Sequence, residues 1–168
     1  MEFRTSYFGN KEGEESYMKN PTTYSEWMNC FDIAKEGTRD AEVLECVQKG
    51  VLVLSAGVAG RFATQLSDVV KFRIKKASDK FSRAMQICGG DLNLLSTALL
   101  SLRKEFKFLI KFVQLPVLPQ NDIDILIKAI KEQADQMQKS LEETGSKNDR
   151  TGTLGSIIKR NRVNSLED

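Results

Sequence analysis

Two clusters of basic side chains are the residues best suited to chemistry in this sequence. Lys71, Arg73, Lys75 and Lys76 form the first, and Arg103, Lys104, Lys107 and Lys111 form the second. Cations at this density hold phosphate oxygens or carboxylates, so they suit nucleic acid or an acidic protein partner. The excess is local: between Lys71 and Arg83 six bases meet a single acid, Asp79, although the net charge is only +2. No groove-reading motif and no aromatics at the spacing of a base-stacking module accompany them. A solvated face whose long side chains cover apolar neighbours accounts for the same pattern.

Other chemistries find less to work with. The sequence has no histidine, which removes the imidazole base of the common serine and cysteine hydrolases and the Glu-x-x-His ligands of di-metal bundles. Cys30, Cys46 and Cys88 are odd in number and too far apart for a structural zinc site. They read as reduced, buried thiols of a cytoplasmic protein. Ser55-Ala56-Gly57-Val58-Ala59-Gly60-Arg61 carries glycines but lacks the Gly-Lys-Ser/Thr ending of a phosphate loop. The pairs Asp122–Asp124 and Glu142–Glu143 fall at helix ends, where dipole pairing and solvation explain them. No catalytic residue, cofactor, metal or small-molecule substrate is implied, and the chain reads as non-enzymatic.

These side chains must be positioned by helices. Three prolines and 40% apolar content leave long stretches free for amphipathic helix. Thr23 or Ser25 opens a first helix whose apolar face is Tyr24, Trp27, Met28, Phe31 and Ala34, stopped at Gly37. Asp40 is expected to cap a second, with Val43, Leu44, Val47, Val51 and Leu54 on its stripe; whether the pattern runs on through Ser55-Ala56-Gly57 or breaks there stays open. A third helix follows Ala59, Phe62, Leu66, Val69, Val70, Ala77, Phe81, Ala84 and Cys88, with Gly57 and Gly60 allowing close approach at its start. Gly89-Gly90 ends it and Asp91 caps the next.

The fourth helix has the strongest periodicity. Leu92, Leu95, Leu99, Leu102, Phe106, Leu109 and Val113 alternate steps of three and four, the seam of left-handed helix packing. A second line, Leu94, Ala98, Phe108 and Phe112, makes this helix apolar on more than one side, as in a central or oligomer-forming helix. After Pro116 and Pro119, Asn121 or Asp122 caps a fifth helix that Gly145 closes.

If the third and fourth helices fold back at Gly89-Gly90, Arg73 comes level with Lys107, Lys76 with Lys104 and Val69 with Lys111. The two basic clusters then meet at one height, and Arg103, Lys107 and Lys111 form a four-step ridge. Arg73 interrupts an apolar stripe, which calls for a structural ion pair, and Glu105 lies near its level.

The expected architecture is therefore all-α, a single-domain bundle of about five helices around a hairpin spine over residues 57–115. Residues 1–20 read as an irregular arm, 21–145 as the bundle and 146–168 as a basic, partly flexible tail. Lys159, Arg160 and Arg162 beside Ile157, Ile158 and Val163 make that tail either a docking segment or a solubilising end. No stretch is apolar enough to span a bilayer and no secretory signal is seen, so no membrane is implied. The expected function is a helical interaction module that binds a protein partner and forms a homo-oligomer; a nucleic-acid-binding factor using the basic patch is the alternative.

Overall fold

The structure, a computed structural model, describes residues 18–88, 90–148 and 152–167. The expected arm, 1–20, lies outside these residues except for its last three. Helices make up most of the described chain, in the order α1 (Tyr24–Glu36), α2 (Asp40–Gln48), α3 (Ala56–Cys88), α4 (Leu92–Phe112), α5 (Gln120–Asn148) and α6 (Thr153–Arg160). The architecture is an all-helical bundle with no strand among the described residues.

Local signals explain most boundaries. Thr23 accepts from the Glu26 amide while Glu26 reaches back to the Thr23 amide, closing a capping box. The Thr22 amide and then Lys19 hold the Glu26 carboxyl down, at about 2. Gly37, at φ 79°, ends α1 in the left-handed conformation that costs glycine nothing. Asp91 accepts from the Asn93 and Leu94 amides and starts α4. Gly90, at φ 96°, makes the bend between α3 and α4; Gly89 lies outside the described residues.

Five expectations need correction. Asp40 does not cap α2; Arg39 occupies the boundary without a side-chain cap, because the Asp40 carboxylate is held by Arg73. The stripe of α2 stops at Gln48. Beyond it the chain is extended, with Leu52 and Leu54 on the core and Val51 and Val53 outward, the period of two that defines extended backbone. Trp27 fixes that segment by donating Nε1–H to the Val51 carbonyl at 3.1 Å. Gly57 and Gly60 approach nothing: a Cβ at either would find open space. Finally, Gly145 does not close α5, which runs on to Asn148. Its missing side chain makes room for Ile158, whose Cδ1 would stand 2.8 Å from a Cβ there. The start of α5 also moves: Asp122 and Ile123 donate to the Pro119 carbonyl, placing Asn121 and Asp122 inside the first turn.

α3 and α4 pack against each other as the antiparallel spine, with more contact than any other pair. A large core fills its open end. There Trp27 of α1 meets Phe62 of α3 edge-on and Phe31 meets it tilted, and Phe31 meets Phe112 of α4 at 6.0 Å between ring centres. Leu115 and Leu118 of the proline corner and Ile123 and Ile130 of α5 complete it. A smaller core lies nearer the bend, where Ile157, Ile158 and Val163 cover Leu95, Leu99 and Leu102 of α4. The described part of the C-terminal segment is thus docked on its own bundle. Gln138 of α5, buried although polar, fastens it by accepting from the Val163 amide at 3.0 Å.

Candidate functional site

Arg73 interrupts the stripe of α3 and is 6% exposed. Its Nε and Nη2 donate to Glu105 of α4 at 2.7 and 2.8 Å. Nη1 and Nη2 donate to Asp40 of α2 at 2.8 and 2.9 Å, and Nη1 also reaches the Ala34 carbonyl of α1. The guanidinium plane lies 4.2 Å from the centre of the Phe108 ring. Burial opposes the charge, but hydrogen bonds to Asp40 and Glu105 outweigh it and raise the pKa above its ordinary value. One cation therefore ties four helices together. Glu105 is the partner the sequence pointed to; Asp40, Ala34 and Phe108 carry no such signal, since nothing in their local pattern registers a residue far along the chain.

This geometry withdraws Arg73 from the expected basic surface. The other seven bases stand differently. Lys71, Lys75, Lys76, Lys104 and Lys111 are exposed, while Arg103 and Lys107 are half-buried. Lys75 pairs with Asp79 at 3.0 Å, and Lys76 donates to the Glu36 carbonyl at the end of α1. At about 100° per residue, Lys71 and Lys75 point away from the face that carries Arg73, whereas Lys76 flanks it. Across the hairpin Arg73 meets Glu105 and Phe108, near the level expected from the bend, and on α3 the bases fall on two faces.

What the hairpin does assemble is a groove. α1 lies along the seam between α3 and α4 and ends at Gly37, level with Arg73 and Lys76. Beyond that point the seam continues toward the bend as an open cleft of about 600 Å³, within the ~300–1,000 Å³ of ordinary binding sites. Ala77, Phe81 and Ala84 of α3 and Ala98 and Leu102 of α4 make its floor. Ile87 and Leu94 stand at its far end, 81% and 49% exposed. The near end is ionic, with Lys35 and Glu36 from α1 and Lys76 and Lys80 from α3.

The groove explains the second apolar line of α4. Phe112 of that line is buried under α1 and Phe108 packs on Arg73. Leu94 and Ala98, one half-helix away, face the open cleft. The line is thus satisfied within the chain for half its length. Ile87 and Lys80 were not singled out by periodicity; their signal is position, because the register of the hairpin sets Ile87 beside Leu94 across the bend.

No group of acidic, cysteine or histidine side chains with metal-binding proximity occurs among the described residues, and no described helix is long and apolar enough to cross a membrane. Cys30 and Cys46 are buried. Burial first, then the neighbouring Cys46 and Glu26, pushes the Cys30 thiol up to about 11; burial also raises Cys46. No protein-family model, curated protein or solved structure matches this chain.

Proposed function

We propose that the protein is a non-enzymatic interaction module that receives an apolar helical segment of a protein partner in the groove between the bend-side halves of α3 and α4. One observation carries the reading. The layer filled by α1 over half of the spine stops at Gly37, and half-buried Ala77, Phe81, Ala84 and Ala98 lead from there to the exposed Ile87 and Leu94. Laying an amphipathic helix into an apolar groove between two helices is a recurrent mode of recognition. A cleft lined mainly by apolar side chains is a common form of binding site.

Two further points favour a protein over a nucleic acid. Arg73 is engaged by its own carboxylates, and an apolar floor offers nothing to a phosphate backbone. A second copy of the chain is the rival occupant, expected from the doubly apolar fourth helix. Photo-crosslinking tests the reading. A crosslinking residue at Thr97, on the groove rim, is expected to capture a partner that the same residue at Lys111 does not. Adducts at position 111 alone contradict the groove; adducts between two copies of the chain assign it to self-association.

A further inference from the structure

Resting on that reading, we infer that the occupant is an amphipathic helix about three turns long that enters with an acidic first turn against Lys35, Lys76 and Lys80. The groove is ionic at one end only. Its ionic groups cluster where α1 stops, and its bend-side end is formed by Ile87, Leu94 and alanines. Arg73 is outnumbered by Asp40 and Glu105, so that cluster carries one negative charge. Three lysines against Glu36 and that cluster leave the mouth positive by one, with Lys76 also donating to the Glu36 carbonyl.

Length follows from the spine. Lys76 to Ile87 spans eleven steps of α3, about 16 Å of helix, or three turns. Direction follows from α1. A helix continuing the α1 layer in the same sense places its positive N-terminus beside the negative C-terminus of α1, and acidic residues in that first turn favour both their own dipole and the lysines. The alanines at positions 77, 84 and 98 leave room for large apolar residues on the incoming face, which would cover Phe81, Ile87 and Leu94. A second copy fits less well. A two-fold pairing whose axis runs along the groove sets the lysine-bearing rims against each other, and like charges oppose it; one whose axis crosses the groove sets those lysines against the apolar end of the other copy, which offers them no carboxylate.

The test uses the full chain and two synthetic peptides of about 18 residues, long enough to sample helix. Both carry the same leucine face; one has glutamates in its first turn and the other lysines there. Fluorescence anisotropy at low salt is expected to show the acidic peptide binding at least about tenfold tighter, a difference of about 1.4 kcal/mol. Lys35→Glu with Lys80→Glu reverses the order, and Ala98→Arg or Ile87→Glu abolishes binding of both, with circular dichroism confirming the fold. Ile87 is exposed, so its variant keeps the test sound if Ala98→Arg misfolds. Equal binding of the two peptides, lost in Ile87→Glu, overturns the acidic occupant but leaves the groove reading standing. Binding of neither, or binding unaffected by both groove variants, overturns the two together. Displacement of the acidic peptide by a peptide of residues 1–17 assigns the groove to the chain itself and overturns the external partner.

Discussion

Arg73 is the residue on which the arrangement of helices turns. It is buried, yet its five hydrogen bonds to Glu105, Asp40 and the Ala34 carbonyl leave no donor group idle. Such a cluster gives little net stability when whole, but removing one partner leaves charges without a counter-ion. Arg73→Met is expected to lower the unfolding free energy by about 3–5 kcal/mol, measured by urea denaturation, and more than Glu105→Gln does. If Arg73→Met is instead neutral, the cluster is not under tension from its surroundings and the role assigned to it fails. Cys30 supplies a pH test. Its folded value, about 11, lies above the ordinary 9.0, so folding favours the neutral thiol. That contribution is whole below pH 9.0 and is lost as pH rises through about 11. In a variant with Cys46→Ser and Cys88→Ser, thiolate absorbance of the folded protein should therefore rise only near the upper value; a rise centred at the ordinary one contradicts the burial described.

At the scale of the element, the helices whose stripes were strongest were the most legible. The seam of α4 from Leu95 to Val113 is buried as its spacing demands, and Thr23, Gly37 and Asp91 mark ends because their hydrogen bonds are local. The misread boundaries depended on distant residues. Asp40 looks like a cap until Arg73 claims it, and Gly145 looks like a stop until Ile158 arrives to fill the space. Gly50 shows the same coupling: a Cβ there would stand 2.5 Å from Cζ2 of Trp27, a ring without exposure. Gly50→Ala is therefore expected to destabilise by about 1–3 kcal/mol, read as a lower melting temperature, since the indole has nowhere to move. The docked segment makes a second prediction. Ile158→Ala removes a side chain that covers Leu95, Leu99 and Leu102, and about 2–4 kcal/mol of stability should go with it. An unchanged midpoint would mean that α6 is not part of the cooperative unit.

Across the whole molecule, the organising fact is a spine longer than the layer laid upon it. α3 has 33 residues and α1 has 13, so α1 covers the seam beside the large core and leaves it open toward the bend. The hairpin was legible because glycine, a capping aspartate and two long stripes agree. The groove was not, because it arises from where a separate helix ends, and only Leu94 and Ala98 hinted at it. Of the expected basic patch, Arg73 is buried in ion pairs, and on α3 Lys71 and Lys75 share one face while Lys76 stands on another. The central claim is that the bend-side seam is the binding surface. Amide chemical-shift mapping of the full chain with the acid-first peptide tests it most directly. Perturbations are expected to gather at Lys76–Ile87 and Leu94–Ser101; shifts gathered instead around Lys71, Lys104 and Lys111 would contradict it.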